Sequence, residues 1–150
     1  MITFSAEQWD TVERELKSYA IAQWQEMSTD QDLFHIDMDW DLYRALDSIG
    51  KLLTCTARDE SRLVGWHLSV IGPHPHYRST VFGLQDTYYV LPEYRSDPMT
   101  GIRLFMFMEE ESRRRGALKL VGNTKSYLDK SPLFERLKWR KEGLIYTKVI

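Results

Sequence analysis

The chain lacks the features that would assign it to several common classes of protein. Its 150 residues include one cysteine, Cys55, so no disulfide can form within the chain, and we expect an intracellular protein. No apolar run reaches the roughly 18 residues that a membrane span needs, and residues 1–5 lack the pattern of a signal peptide. Repeats, linkers and low-complexity tracts are also absent. These absences predict one folded domain, residues 1–150, in the cytoplasm.

Charge is nearly balanced, with 20 Lys and Arg against 22 Asp and Glu, which argues against a protein that coats nucleic acid. The distribution is uneven, because residues 1–90 carry 7 basic and 14 acidic side chains whereas residues 91–150 carry 13 and 8. An acidic half suits a cationic ligand and a basic half suits a phosphate-bearing one. A solvated surface with accidental asymmetry is an equal alternative.

Apolar side chains at helical spacing predict four helices. These are residues 6–27, Asp39–Ser48, Thr100–Arg115 and Ser131–Leu137. For the first, Ser5 and Gln8 form the pattern of a capping box, and Thr100 is the expected N-cap of the third. Gly50 and Gly116 are expected to end the second and third helices, since glycine tolerates the left-handed backbone found there.

Segments rich in strand-forming residues lie between these helices and after the last one. They are Leu52–Ala57, Leu63–Ile71, Thr80–Leu91, Leu118–Gly122 and final strands at Trp139 and Leu144–Ile150. The first two are expected to form a hairpin, and Gly72–His76 is expected to be a stiff loop. The order αα-βββ-α-β-α-β(β) predicts an α+β fold.

The segment Val90–Ile102 leads from a strand through a tight loop into a helix. The first turn of a helix has unpaired N–H groups and a partial positive charge, so such a loop can hold a diphosphate. Arg95 and Arg103 could add charge-assisted contacts. Many strand–loop–helix joints bind nothing, so the residues alone leave both interpretations open.

Two motifs resemble a known family. Val90-Leu91-Pro92-Glu93-Tyr94-Arg95 is similar to the start of motif A of the GNAT (GCN5-related N-acetyltransferase) superfamily, and residues 133–143, LFERLKWRKEG, are similar to its late segment. Within the superfamily, residues 74–77, 100–105 and 131–137 resemble short acetyltransferases of tailed bacteriophages. The resemblance implies a three-layer α+β fold with a mixed, mostly antiparallel sheet flanked by helices. It implies direct transfer of an acetyl group from acetyl-CoA to a primary amine, in the host cytoplasm if the chain is phage-encoded.

The resemblance also implies which residues contact the cofactor. They are Val90, Leu91, Arg95, Ser96, Met99, Thr100, Gly101, Ile102, Arg103 and Phe134. Two features depart from the family pattern. Pro98 and Thr100 stand where the family loop has glycines, so either the register shifts to end at Gly101 or the cofactor binds more weakly. Phe134 stands where the family often has a tyrosine that protonates the departing thiolate, so Tyr127 or a water would have to serve.

Asp86 is the expected general base, because the family often draws its acid from this strand. Strand alternation would place Asp86 on the same side as Tyr88 and Val90; a solvated strand residue is an equal alternative. The backbone N–H groups near Val90 or Leu91 are expected to meet the developing oxyanion.

His74 and His76, in the loop, and Trp40 are candidates for contact with the acceptor. A surface loop is the favoured alternative for the two histidines, and no metal site is expected. Cys55 is expected to be a small buried core residue. The acceptor stays undefined, and a homodimer is a further expected partner. The alternative function is a catalytically weak or inactive protein of this fold that binds a host protein during phage infection.

Overall fold

The computed structural model describes residues 1–150 and centres on a five-stranded sheet. The strands are β1 (Ile2–Ala6), β2 (Leu52–Asp59), β3 (Arg62–His74), β4 (Tyr77–Val90) and β5 (Ala117–Val121). The helices are α1 (Trp9–Met27), α2 (Trp40–Ser48), α3 (Pro98–Arg114) and α4 (Ser131–Arg136), with a 3₁₀ turn at Pro92–Tyr94. The strands lie in chain order, and every pair is antiparallel except β4 and β5, which are parallel. The predicted α+β fold, a mixed and mostly antiparallel sheet flanked by helices, is confirmed.

Helices cover both faces of the sheet. Neighbouring side chains of a strand point to opposite faces, so consecutive residues of β3 pack against different helices. On β3, Trp66 stacks on Tyr19 of α1 with ring centroids 5.6 Å apart, while His67 meets Phe105 of α3 edge-on at 4.9 Å. Ring stacking between the start of α1 and the middle of α2 places α2 on the α1 side. Trp66 and Phe105 are fully buried, and each such side chain contributes roughly 1.5–3 kcal/mol.

The start of the chain differs from the prediction. Ser5 lies in β1, which pairs with β2, and its hydroxyl lies 3.1 Å from that of Thr56. Helix α1 begins at Trp9, and Gln8 forms no side-chain cap. The Trp9 N–H donates instead to the Asp47 carboxylate of α2 over 3.1 Å. The predicted capping box is therefore wrong, because a distant helix provides the acceptor.

The end of the chain also differs. Trp139 packs edge-on against Phe105 and Phe134, but residues 139–150 form no strand. The predicted strands at Trp139 and Leu144–Ile150 are therefore wrong. A strand needs a hydrogen-bonded neighbour, and the strand propensity of a segment does not supply one. The large apolar side chains of Leu144–Ile150 are exposed.

The predicted stops at two glycines are confirmed, since Gly50 has φ +69° and Gly116 has φ +84°. The predicted N-cap of α3 is wrong: α3 begins at Pro98 and is capped by Asp97, so Thr100 lies inside the helix.

None of the helices combines the length and apolar character that crossing a bilayer would require.

Candidate active site

The parallel strands β4 and β5 separate part of the way along the sheet. Their pairing runs from Val81 to Leu84, which lies opposite Val121, the last residue of β5. Strand β4 continues to Val90, still paired with β3 on its other side. The carboxyl half of β4 therefore has one open edge, and a wedge forms between it and the segment that leads into α4.

Two adjoining cavities occupy this wedge. The central cavity, of about 400 Å³, lies between α1, the α1–α2 connection, β4 and the segment from Asn123 to Phe134. The loop cavity, of about 350 Å³, lies between the start of α3 and α4. Both are lined by Tyr88, Val90 and Lys130. The wedge is thus one groove with an inner and an outer part.

A β-bulge lies at Asp86, which lines the central cavity. Leu68 of β3 pairs with Thr87 and Ser69 pairs with Gln85, so Asp86 has no partner. An extra residue of this kind redirects the side chain next to it. The Asp86 carboxylate accepts a 2.8 Å hydrogen bond from the Tyr43 hydroxyl of α2.

The bulge changes the side on which Asp86 lies. Thr87 accepts a hydrogen bond from Gln23 of α1, whereas Tyr88 packs edge-on against Phe105 of α3 with ring centroids 4.7 Å apart. Asp86, bonded to α2, therefore lies on the α1–α2 side with Thr87. The expectation that Asp86 shares a side with Tyr88 and Val90 is wrong, since the extra residue interrupts the alternation.

Asp86 is the one carboxylate of the central cavity without a cationic partner. Its side chain stays open to the cavity, yet the surrounding protein walls partly desolvate the carboxyl and raise its pKa, while the Tyr43 hydrogen bond opposes that shift. The other acid of the cavity, Glu26, is paired: hydrogen bonds from Arg95 lower its pKa, and Lys130 contributes from a distance. Burial, together with Asp86, raises the pKa of Tyr43, which stays a phenol at neutral pH.

Arg95 is a clamp between α1 and the loop that follows β4. Two of its nitrogens donate to the two oxygens of Glu26 at 2.7 and 2.9 Å, and its Nε donates to the Val90 carbonyl at 2.7 Å. The Tyr89 hydroxyl also donates to Glu26, and the guanidinium lies over the Tyr89 ring. These contacts occupy the guanidinium, although Arg95 lines both cavities, and its expected role as a phosphate ligand stays a prediction.

The start of α3 is closed by its own residues. The Met99 N–H donates to the Asp97 carboxylate at 2.9 Å, and the Thr100 N–H donates to the Asp97 carbonyl at 3.3 Å. Pro98 has no N–H to offer. The first turn therefore presents few free donors, and the carboxylate at its tip is negative, so the expected diphosphate cradle from backbone N–H groups is not preformed.

The backbone at the end of β4 directs the Val90 N–H toward the wedge. The Leu91 N–H donates to the Val64 carbonyl of β3 at 2.8 Å. Of the two N–H groups expected to meet an oxyanion, that of Leu91 is therefore not available. Backbone groups of successive strand residues face opposite sides. Val90, whose carbonyl faces Arg95 and not β3, therefore directs its N–H toward the wedge.

Tyr88 lies between the two cavities and above Gly101 of α3. A Cβ at position 101 would overlap the Tyr88 hydroxyl, so glycine at this position is what lets the ring lie there. The hydroxyl has no hydrogen-bond partner, and burial raises the pKa of Tyr88 to about 12. Sequence reasoning did not identify Tyr88, because nothing in the sequence shows that two cavities meet at its ring.

The structure brings together only part of the expected cofactor set. Val90, Arg95, Gly101 and Ile102 line the loop cavity, and Phe134 lines the central cavity. Five residues line neither cavity: Leu91, Ser96, Met99, Thr100 and Arg103. Leu91 and Thr100 are buried, whereas Ser96 and Arg103 are exposed to solvent.

The other expected site residues line neither cavity. The Tyr127 hydroxyl donates to the Met27 carbonyl, and the side chain lines neither cavity. Trp40 stacks on Trp9 outside the groove. The predicted loop Gly72–His76 is wrong, because β3 extends to His74. His76 lies in the tight turn between β3 and β4. About nine residues, roughly 30 Å of extended strand, separate this turn from Asp86.

His67 is a buried neighbour of the groove. It is 0% exposed, and burial lowers its pKa to about 3, so the imidazole is neutral. Its Nδ1 lies 3.2 Å from the Ser69 hydroxyl. Its Nε2 has no hydrogen-bond partner, and neither has Oε1 of Gln85, which lines the central cavity. No cluster of three or more His, Cys, Asp or Glu side chains is placed to hold a metal.

Comparison with known proteins identifies the fold. No protein-family model and no curated protein matches the chain. An aminoglycoside acetyltransferase from an uncultured soil metagenomic sample, solved with trehalose, superposes with a TM-score of 0.74 at 12% identity, over 99% of this chain and 96% of that one. Ribosomal-protein-alanine N-acetyltransferase from Brucella melitensis biovar Abortus 2308 gives 0.72 at 16% identity, over 100% and 99%. Glucosamine-6-phosphate N-acetyltransferase from Arabidopsis thaliana gives 0.73 at 12% identity, over 99% and 98%. The chain thus has the α+β fold of the GNAT acetyltransferases, from its first strand to its last helix.

Proposed function

We propose that residues 1–150 form one N-acetyltransferase domain that transfers an acetyl group from acetyl-CoA to a primary amine. The observation that carries this proposal is the unpaired Asp86 carboxylate, which a β-bulge directs into a cavity continuous with a second, cationic one. The acetyltransferase fold of the chain supports it. Acetyl-CoA would supply an acetyl group activated as a thioester.

The groove fits such a co-substrate in charge and shape. Its outer part is lined by Lys130 and Arg136, which form no ion pair, by Arg95, which is paired with Glu26, and by one carboxylate, Asp97. Its inner part is a cleft with an open strand edge and walls in which apolar and polar side chains are mixed. A phosphate-bearing group therefore suits the outer part, and a flexible uncharged arm suits the inner part.

Asp86 would accept the proton that an ammonium must lose before the amine can attack. A carboxyl with a raised pKa is a stronger base than an ordinary one, and the Tyr43 hydrogen bond fixes its direction. The Val90 N–H is the donor available for negative charge on the acyl oxygen. Holding both reactants in one groove would supply much of the rate enhancement.

Tyr88 takes the place of Tyr127 as the proposed proton donor to the leaving thiolate. Phe134 has no proton to give, and the Tyr127 hydroxyl donates to the Met27 carbonyl while its side chain lines neither cavity. Of the phenols that line the central cavity, Tyr43 and Tyr89 donate to carboxylates, whereas Tyr88 has no partner. With its pKa near 12, Tyr88 carries its proton at neutral pH.

The Asp86→Asn variant tests the proposal, in a thiol-release assay with acetyl-CoA and a panel of primary amines. We expect kcat/KM to fall by at least about 100-fold, the usual contribution of a general base. In the wild type, kcat/KM should fall as the pH is lowered and Asp86 takes up its proton, with a midpoint above the 3.8 of an ordinary aspartate because the pKa is raised. The variant should lose this step.

Asp32→Asn is the matched control, because Asp32 is exposed and lines neither cavity; its kcat/KM should stay within about twofold of wild type. An Asp86→Asn variant as active as the wild type would contradict the role of Asp86. No thiol release with any amine, together with no binding of acetyl-CoA, would contradict the proposed function.

Two observations favour a second function, a protein of this fold that binds a host protein without catalysis. The start of α3 is closed by Asp97, and Phe134 lacks the hydroxyl that the family often has. In this case the wild type would release no thiol from any amine, and a stable complex with a host protein would be isolated with the wild type and with Asp86→Asn alike.

A further inference from the structure

Two cations of the loop cavity have no partner in the protein. Lys130 and Arg136 both line this cavity, and neither side chain forms an ion pair or a hydrogen bond. Thirteen ion pairs form in the chain and involve nine of its 20 Lys and Arg side chains, including Arg95. The Arg136 guanidinium is exposed and the Lys130 ammonium is half-buried, and both face one cavity without a direct ion-pair partner. Together they form a site for an anion.

The opposite wall of the cavity offers an anion much less. The Met99 N–H is bonded to the Asp97 carboxylate, Pro98 has no N–H, and Asp97 itself is negative. Arg95 is committed to the Glu26 carboxylate. The favourable electrostatic potential therefore comes from α4, across the cavity from the start of α3.

We infer that Lys130 and Arg136 are the residues that recognise the phosphate groups of acetyl-CoA, in place of Arg95 and the first turn of α3. The inference rests on the proposed function. The two residues flank α4 at its start and its end, and their Cα atoms lie about 9 Å apart along the helix at about 1.5 Å per residue. Side chains at this separation reach different phosphates, the diphosphate and the 3′-phosphate.

Calorimetric titration with CoA, 3′-dephospho-CoA and pantetheine tests this assignment without any reliance on activity. We expect Lys130→Gln and Arg136→Gln each to weaken CoA binding by about tenfold, the effect of losing one charge-assisted hydrogen bond. Binding of pantetheine, which has no phosphate, should stay unchanged. If a variant weakens the binding of CoA but not of 3′-dephospho-CoA, the residue it replaces contacts the 3′-phosphate.

Three further variants sharpen the test. Arg136→Lys keeps the charge and should retain most of the affinity for CoA. Asp97→Asn keeps a capping side chain but removes the negative charge, and it should strengthen CoA binding. Arg78→Gln is the matched control, because Arg78 is also exposed and unpaired but lines neither cavity, so its affinity should be that of the wild type.

The outcomes separate this inference from the proposed function. If the wild type, Lys130→Gln and Arg136→Gln all bind CoA equally well, the inference is overturned and the proposed function is not. Wild-type protein that binds neither CoA nor pantetheine would overturn both. Thermal melting midpoints equal to that of the wild type would show that a loss of binding in the variants does not come from unfolding.

Discussion

The ion pair between Glu26 and Arg95 should stabilise the fold and leave phosphate recognition to other residues. It joins α1 to the loop after β4, its side chains are 27% and 33% exposed, and its contacts are bidentate. Exposed pairs contribute about 0–1 kcal/mol, and loss of one partner of a buried pair costs about 3–5 kcal/mol. This half-buried pair lies between these limits, so we expect Glu26→Gln to lower the free energy of unfolding by about 2 kcal/mol.

Urea or thermal denaturation of the wild type, Glu26→Gln, Arg95→Gln and the double variant measures this quantity. About 2 kcal/mol corresponds to a melting midpoint about 4–8 °C lower in a chain of this length, and the cycle should give a coupling energy of about 1–2 kcal/mol. The pair formed by Arg62 and Glu93 is the control, since both side chains are half exposed, at 52% and 51%. Loss of its charge should change stability by less than about 0.5 kcal/mol.

Two results would refute this reasoning. A coupling energy no larger than that of the control pair would show that the contact does not stabilise the fold. The second is a difference in CoA binding between two variants of equal stability. If Arg95→Gln abolishes CoA binding and Glu26→Gln binds CoA normally, the guanidinium contacts the ligand.

Two further predictions concern close packing. Gly101→Ala should destabilise the fold by about 1–2 kcal/mol, because the new Cβ overlaps the Tyr88 hydroxyl. In a Tyr88→Phe background the same change should be neutral or stabilising, since alanine favours helix. Urea denaturation of the wild type, the two single variants and the double variant measures both effects. The Cys55 thiol is buried, which raises its pKa to about 12, so Ellman's reagent should not label the folded chain over hours and should label it fully in guanidinium chloride; rapid labelling of folded protein would contradict this.

The elements that the sequence predicts well are those set by local chemistry. Helix α2 begins after Asp39, whose side chain accepts from the Leu42 N–H, and it ends at a glycine with positive φ, as the pattern at Gly50 indicates. The hairpin of β2 and β3 follows from strand-forming residues on both sides of a short turn. Each of these features depends on residues close together in the chain.

The elements that the sequence does not predict depend on distant partners. Strand β1 is short, and its Ser5 pairs with Thr56 of β2, 51 residues further along the chain, so nothing near Ser5 distinguishes it from a helix cap. The segment Leu144–Ile150 has strong strand propensity, but no neighbouring strand pairs with it. Propensity describes what a residue tolerates, whereas pairing requires a free edge at the right place.

The same distinction applies to the site. Val90, Gly101 and Phe134 follow from the motifs, and the structure places all three on the groove. The side on which Asp86 lies could not be predicted, because a bulge has no local sequence pattern here. The unpaired state of Lys130 also could not be predicted, since it depends on which acids the fold brings near.

The buried imidazole of His67 makes the folded chain vulnerable to mild acid. In the unfolded chain this ring takes up a proton near pH 6.5, but in the core it does so only near pH 3. The stabilisation is complete above pH 6.5 and declines as the pH falls toward 3, by about 2 kcal/mol at pH 5. Acidification to pH 5 would therefore weaken the fold through one aromatic side chain that never meets solvent.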